Sequence, residues 1–304
     1  MIGSHFAETT LRNGWPTYGI ARNSASSRIA ASPDPNLFRV DILDRDALES
    51  VMRDIKPDLV IHMAAQAFNS ISWKTEETTH LSNYQGTVNV LKMTQKVVPD
   101  ASVILACSSA EYGDIQPEDC PLEEERFLRP ITPYGVSKAA TECLGYQYFS
   151  NYGLKVFLPR LFIHVGTGHP PATAIQNFAR QLALTAKGRM EPVVRVGNLE
   201  SARDFIDVRD GVTAMMMMLD KGAPGIPMNI CTGTAYKISD ILDRLIRISG
   251  LDIKVETDSN LFRPSDEPLL LGDNTRLKEL GWNQQYTIDE TLQSVYEDWL
   301  SRVS

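Results

Sequence analysis

Nothing in these 304 residues is long and apolar enough to cross a bilayer: no uninterrupted run approaches the ~18 residues a spanning helix needs. Met1 to Thr10 also lack the basic start and apolar stretch of a secretory signal, so a cytoplasmic protein is expected. Cysteine is scarce. The four residues Cys107, Cys120, Cys143 and Cys231 are scattered without Cys-x-x-Cys spacing, which argues against a disulfide framework and a thiolate zinc site. Histidine numbers five, and its one close pair, His164 and His169, lies in a Gly/Pro-containing loop without clustered acids or thiols, so no metal is expected. Positive charge is in short supply as well. Thirty Lys and Arg against 38 Asp and Glu leave a net charge of −8, which disfavours a nucleic-acid or anionic-membrane binder; any anionic ligand must be met by local cations.

The chain does have material for a core: 43% hydrophobic and 22% charged residues are ordinary for a globular protein that needs no staple to fold. Short β-rich runs at Thr17–Ala21, Phe38–Ile42, Leu59–Met63, Val103–Ala106 and Val156–Phe162 alternate with helical patterns at Asp44–Arg53, Thr79–Lys96 and Pro133–Tyr152. That rhythm predicts an α/β fold with a parallel sheet. The limits of the last helix are marked by Thr132 as N-cap, Pro133 in the first turn and Gly153 beyond the end. After Phe162 the rhythm loosens into a Gly/Pro-rich loop, a helix around Ile175–Lys187 and a turn-rich stretch from Gly197 to Arg203, which reads as an insertion. The sheet pattern then returns with Val208–Leu219 and Pro227–Thr232, followed by a final α/β segment from Ile238. Met215 to Met218 sit inside an apolar helix and read as core filling.

The chemistry centres on Tyr134-Gly-Val-Ser-Lys138, where a helix puts a phenol and an ammonium on one face. A cation beside Tyr134 is expected to lower its pKa and fit it for proton transfer near neutrality. The strand Val103–Ala106 runs into Cys107-Ser108-Ser109-Ala110-Glu111-Tyr112-Gly113, and strand C-termini in open parallel sheets are where ligands bind. Ser108 is thus a candidate to hydrogen-bond the oxygen that Tyr134 protonates.

In order and spacing these motifs resemble the extended short-chain dehydrogenase/reductase family, over almost the whole chain. His62-Met-Ala-Ala-Gln66 resembles the family's segment along the cofactor, Asp41-Ile42 its adenine contact, and Asn83 its helix-breaking asparagine. The resemblance implies a Rossmann-type doubly wound parallel sheet with a smaller discontinuous α/β substrate domain. The expected division is 1–164 with 204–234 for the dinucleotide, and 165–203 with 235–304 for the nucleotide-sugar. Within the family the likeness is to the GDP-mannose group, carried by Val196-Gly-Asn-Leu-Glu-Ser-Ala-Arg-Asp-Phe205, Asn177-Phe-Ala-Arg-Gln181 and Arg263-Pro-Ser-Asp266. It implies Ser108, Tyr134 and Lys138 as catalytic residues, with Lys138 also holding the ribose. It implies cofactor contacts at Gly3, Arg22, Asp41, Ile42, Ala64, Ala65, Gln66, Asn83, Tyr134, Lys138 and His164. Substrate contacts are implied at Ser109, Glu111, Asn177, Asn198, Arg203, Arg263 and Asp266, the arginines offering planar forks to a diphosphate. Arg22 stands where NAD-selective relatives place an acid, so NADP is the expected cofactor, with NAD as the alternative. A homodimer is implied by analogy, through the helices that carry Asn83 and Tyr134.

Within the group, the dehydratases place Glu two residues before the Tyr of the strand-end motif, and here that position is Ala110. Alanine cannot move a proton, so the expected reaction is NADPH-dependent reduction of the C4 ketone of GDP-4-dehydro-6-deoxy-D-mannose to a GDP-6-deoxyhexose. A 4,6-dehydratase or epimerase stays open as an alternative, and so does a non-catalytic nucleotide-sugar binding protein. Two departures accompany the likeness. The family opens with a strand and a G-x-x-G-x-x-G turn, of which the first residues here match only the last glycine, Gly3, so a first strand central in the sheet is expected to be missing. Ile163 and Thr167 also replace a customary Asn and Pro, which bears on the sugar contacts.

Overall fold

The structure is a computed structural model that describes residues 1–22, 36–262 and 267–303. It begins with α1 (Ile2–Arg12), β1 (Gly19–Ile20), β2 (Leu37–Phe38), α2 (Arg45–Ile55) and β3 (Leu59–His62). Helix α2 forms because Asp44 caps it, accepting from the Ala47 N–H at 3.0 Å, while Leu48, Val51 and Met52 give it a buried stripe. Then come α3 (Asn69–Ser72), α4 (Glu76–His80), one π-helical turn at Leu81–Gln85, and α5 (Gly86–Val97). The expected single helix over Thr79–Lys96 is therefore broken by a π-turn around Asn83.

Next lie β4 (Ser102–Leu105), β5 (Cys107–Ser108), a 3₁₀ turn at Ser109–Glu111, α6 (Pro133–Tyr152), β6 (Lys155–Leu161) and β7 (Ile163–Val165). Helix α6 has the expected limits: Thr132 Oγ1 accepts from Gly135 N at 3.0 Å, Pro133 opens it, and Gly153 closes it at φ +69°. Beyond these are α7 (Ala174–Ala186), β8 (Val193–Val196), β9 (Ala202–Asp207), α8 (Val208–Lys221), β10 (Pro227–Ile230) and β11 (Ala235–Lys237). The chain ends with α9 (Ile238–Ser249), β12 (Lys254–Thr257), β13 (Leu269–Leu270), α10 (Thr275–Glu279) and α11 (Ile288–Arg302).

The main sheet runs β10-β6-β4-β3, all parallel, with β5 continuing beside β6. Its central strands are apolar on both faces. Val103 and Leu105 pack with Leu91, Leu144 and Leu158 on one side, while Ile104 packs with Phe6, Phe157, Met215 and Ile230 on the other. Helices thus cover both faces, as a doubly wound fold requires. Met215 and Met218 fill the second of these cores. Strands β1 and β2 pair in parallel with each other, and among the described residues neither pairs with β3.

The remaining elements build a second apolar core, from Phe178, Leu182, Val194, Ile241, Leu245, Leu292 and Trp299 on α7, β8, α9 and α11. A sheet of β11-β9-β13, with β7 also paired to β9, joins the two halves. The expected boundary between 203 and 204 falls inside β9, and that between 164 and 165 inside β7. The turn expected to run to Arg203 gives way to strand at Ala202, because β9 is held by pairing to β7, β11 and β13. Among the described residues no helix is long and apolar enough to cross a membrane.

Candidate active site

The site begins where β4 gives way to β5. Ser108 pairs with Leu161 of β6, then the chain tightens into the 3₁₀ turn. That turn is fixed by a capping box: Ser108 Oγ accepts from Ala110 N at 3.2 Å, and Glu111 Oε1 accepts from Ser108 N at 2.6 Å. Helix α6 packs its first turn directly on this segment. A Cβ on Gly135 would overlap the Ala110 carbonyl oxygen, so only glycine lets the helix come this close. The approach brings Tyr134 and Lys138 to Ser108.

Lys138 is buried and donates from Nζ to the Ala106 carbonyl at 2.6 Å; the same nitrogen lies 6.0 Å from the centre of the Tyr134 ring. Burial lowers the Lys138 pKa. Tyr134 is pushed up to about 12, chiefly by burial; a hydrogen bond from the Ser108 side opposes the rise, and Glu111 and Cys107 add to it. The expectation that Lys138 lowers the Tyr134 pKa is therefore not met here. The ammonium is turned to a main-chain oxygen rather than to the phenol, and desolvation outweighs it.

Of the residues expected at the cofactor, Arg22, Asp41 with Ile42, and Ala64 to Gln66 follow the C-terminal ends of β1, β2 and β3. Arg22 Nη1 lies 3.9 Å from Asp41 Oδ2, both side chains largely open, and Asp41 Oδ1 also accepts from Leu43 N. Ile42 fills the space over Gly86, where a Cβ would overlap it, and its carbonyl accepts from Asn89 Nδ2 at 3.0 Å. Gly3 sits in the first turn of α1, where a Cβ would meet only Met63 at ordinary contact distance. Ala64 is exposed beyond β3 and Ala65 half-buried. Asn83, expected at the cofactor, is 1% exposed, with its side chain engaged inside the protein. Its Oδ1 accepts from Gln66 N at 2.8 Å, and its Nδ2 donates to Gln66 O at 3.0 Å and Ser137 Oγ at 2.9 Å, tying the segment after β3 to α6. His62 is buried against Thr87 Oγ1 at 3.1 Å, with its pKa lowered by burial to about 3, so it is a neutral core histidine.

Of the residues expected at the substrate, Asn177, Asn198 and Arg203 line a cavity of about 280 Å³, and His164, expected at the cofactor, lines it too, together with Thr173, Gly197, Ser201 and Leu261. His164 is three residues beyond Leu161, the partner of Ser108, so the chain itself keeps the cavity within ~10 Å of the strand end. Its Nδ1 faces the Phe162 carbonyl at 2.9 Å, its ring lies against Gly211, and burial lowers its pKa to about 4. Arg203 is buried and donates from Nη1 to the carbonyls of Ala202 and Glu267. Arg263 and Asp266 lie outside the described residues. Ser109 is buried in the 3₁₀ turn.

Glu111 corrects the sequence expectation. Placed there at the substrate, it is fully buried, its side chain folded back onto the Ser108 main chain by the 3₁₀ turn. Two further residues escaped the sequence reading: Glu142 and Arg160, a buried bidentate pair behind the site at 2.7 and 2.8 Å. Glu142 stands four residues after Lys138 on the same helix face, a spacing that could have drawn attention to it.

A family model described as GDP-mannose 4,6 dehydratase matches residues 1–295. The GDP-6-deoxy-D-mannose reductase of Pseudomonas aeruginosa is 30% identical over 270 residues, covering 88% of this chain and 88% of that protein. Among solved structures, RMD from Pseudomonas aeruginosa complexed with NADPH is similar with a TM-score of 0.83 at 30% identity, over 90% of this chain and 93% of that one. The UDP-glucose 4-epimerase of Thermus thermophilus, in complex with NAD, gives a TM-score of 0.88 at 25% identity, over 98% and 96%.

Proposed function

The chain belongs to the GDP-mannose 4,6-dehydratase family, and from that premise we propose that it reduces the C4 ketone of GDP-4-dehydro-6-deoxy-D-mannose to a GDP-6-deoxyhexose, using NADPH. The observation that carries this reading is the meeting of Ser108, Tyr134 and Lys138 at one strand end, with Ala110 where an elimination would need an acid. A non-catalytic sugar-nucleotide binder has no use for that trio.

The dinucleotide fits what the chain offers. The first N–H groups of the eleven-residue helix α1 have no side-chain cap, and the space over Gly3 is open apart from Met63. The exposed Ala64 leaves main chain accessible beyond β3, and Arg22 presents a guanidinium, 63% exposed, at the end of β1, where a 2′-phosphate would sit in NADPH. Gly3, Arg22, Asp41 and the segment Ala64–Gln66 would hold it, with Tyr134 and Lys138 at its ribose. When bound, the group supplies hydride to the C4 carbon.

The chain's own residues do the rest. Ser108 donates a hydrogen bond to the C4 oxygen and polarises it, Tyr134 delivers the proton that neutralises the developing alkoxide, and Lys138, bonded to the Ala106 carbonyl, keeps its positive charge 6.0 Å from the Tyr134 ring. The cavity of Asn177, Asn198 and Arg203 takes the nucleotide of the sugar. His164 borders it as a neutral ring. The test is product analysis with purified protein. Oxidation of NADPH in step with loss of the keto sugar is expected, and Tyr134→Phe should lower kcat by about 10²- to 10⁴-fold. Steady water elimination from GDP-mannose would instead establish a dehydratase.

A homodimer is part of the same proposal. Leu81, Tyr84 and Val136, on the π-turn and α6, are 52%, 43% and 44% exposed on one face, an apolar patch suited to a second copy. Sedimentation should give twice the chain mass, and Leu81→Glu with Val136→Glu should halve it. All four cysteines are free thiols, which suits a reducing compartment such as the cytoplasm.

A further inference from the structure

The chemistry above leaves one buried polar cluster unused, directly behind Ser108. Single donor atoms of Cys107, Glu111 and Glu142 lie within 4.8 Å of one another, and Arg160 stands beside them. The guanidinium is already committed. It grips Glu142 through Nε and Nη2, and its Nη1 donates to the Tyr112 hydroxyl at 3.1 Å and the Glu124 carbonyl at 2.8 Å. Its approach to Glu111 Oε2, 3.9 Å, is too long for a hydrogen bond.

Glu111 is 0% exposed and divides its two oxygens unequally. Oε1 accepts from Ser108 N, whereas Oε2 is buried with no donor. Oxygen atoms of Glu111 and Glu142 lie within 4.8 Å of each other, and one acceptor beside another gains nothing. A second anion here would have neither solvent nor a cation to itself, a desolvation cost that two neighbouring carboxyls avoid by holding a proton. Placed on Oε2, that proton supplies the missing donor toward Glu142 and leaves Oε1 free to accept from Ser108.

We propose that Glu111 is a positioning residue that works as a neutral carboxylic acid, fixing the Ser108 main chain through Oε1 and sharing its Oε2 proton with Glu142. The proposal rests on the reading of Ser108 and Tyr134 as the pair at the C4 oxygen. Neutrality serves that pair, because an ionised Glu111 would oppose the phenolate that Tyr134 becomes on giving up its proton. The groups facing Glu111 are Cys107 from β5, Tyr134, Lys138, Glu142 and Cys143 from α6, and Arg160 from β6. Burial and the neighbouring Glu142 both push Glu111 well above the usual carboxylate range, which agrees with the geometry.

The experiment compares Glu111→Ala with Glu111→Gln. Alanine leaves the Ser108 N–H without an acceptor and should lower kcat about 10- to 100-fold while KM for the keto sugar stays within about threefold. Glutamine has the shape of the protonated acid, with an oxygen for Ser108 and an N–H for Glu142, and should restore most of that kcat. The infrared difference spectrum of wild type minus Glu111→Gln should show the carbonyl band of a protonated carboxylic acid at neutral pH. Glutamine failing as badly as alanine, or absence of the acid band, overturns the proposal, and so does an unchanged kcat in Glu111→Ala. If wild type does not turn over the keto sugar, the reductase reading fails, while the band still decides the protonation of Glu111. If Glu111→Ala does not fold, the glutamine variant and the spectrum decide.

Discussion

Asn83→Ala tests whether a buried side chain holds the cofactor side of the site together. The side chain is 1% exposed and makes three hydrogen bonds, two to the Gln66 peptide and one to Ser137 Oγ. Removing it strands the half-buried Gln66 N–H, at about 1 to 3 kcal/mol for a donor without a partner. The Gln66 carbonyl is half-buried and recruits water, and the Ser137 hydroxyl keeps its bond to the Tyr134 carbonyl at 2.7 Å, so these add about 0.5 to 1.5 kcal/mol together. A loss of about 2 to 4 kcal/mol results, which for a chain of this size lowers the thermal midpoint by roughly 3 to 6 °C. The segment after β3 must then be ordered on binding. One residue's worth of backbone entropy, about 1 to 1.5 kcal/mol, weakens NADPH about tenfold. Circular dichroism melting and fluorescence titration with NADPH check both numbers. A midpoint within about 2 °C of wild type together with unchanged NADPH affinity would refute the clamp.

Arg22→Ala should lower kcat/KM for NADPH about 5- to 30-fold, the worth of a partly solvated charge-assisted hydrogen bond, and leave NADH turnover within about twofold; equal losses with both would remove Arg22 from the 2′-phosphate. Gly135→Ala drives a Cβ into the Ala110 carbonyl and should cost about 1 to 3 kcal/mol of stability. By shifting Tyr134 against Ser108 it should also lower kcat by up to about 100-fold, which steady-state kinetics on the folded fraction measures. Glu111 adds a stability signature. Its folded pKa is raised, so the folded chain keeps a proton that the unfolded chain releases above its ordinary value of 4.5. Stability is then fullest below that value and falls as pH rises toward the folded pKa. Denaturant titrations from acid to neutral pH should show this decline in wild type and lose it in Glu111→Gln.

What could be read from the chain without its structure was local. Thr132, Pro133 and Gly153 mark the ends of α6 by their own backbone preferences, and a helix sets Tyr134 and Lys138 on one face whatever surrounds them. The alternation of apolar runs likewise reveals a sheet covered on both sides, because β4 and β6 bury both faces. Long-range partners were not legible. Asn83 reaches Ser137, 54 positions away, and Lys138 reaches Ala106, 32 positions away, so neither the clamp nor the direction of the ammonium follows from spacing. Glu111 was misplaced for a different reason. The resemblance set it among the substrate contacts, but the Ser108 capping box winds residues 109–111 into a 3₁₀ turn and folds the carboxyl inward, onto the Ser108 main chain. Arg203 was read as turn because glycine and polar residues precede it, whereas β9 is made by its sheet partners.

The protonation of Tyr134 bears on the direction of the reaction. Reduction of a ketone must deliver a proton to oxygen, whereas an elimination or epimerisation that starts from the C4 alcohol must first take one away. With its pKa pushed up to about 12, Tyr134 at pH 7 is phenolate in only about one part in 10⁵, which is the donor state. Ala110 leaves the position two before Tyr112 without the acid that the second half of an elimination needs, and the neighbouring Glu111 carboxyl is folded back onto Ser108. Both facts point the same way, and they make a kinetic asymmetry. For reduction, kcat/KM should show no titration from Tyr134 between about pH 6 and 9, since the required form is saturated throughout. For the reverse oxidation of the GDP-6-deoxyhexose by NADP, kcat/KM should climb about tenfold per pH unit over the same interval, as each unit multiplies the scarce phenolate tenfold. Measuring both directions in Glu111→Gln as well as wild type separates Tyr134 from its titratable neighbour. A reverse rate that is flat across the interval in both proteins, or a forward rate that falls with the same slope, means that Tyr134 ionises near neutrality in the free enzyme, and the preference for reduction then has to come from elsewhere in the site.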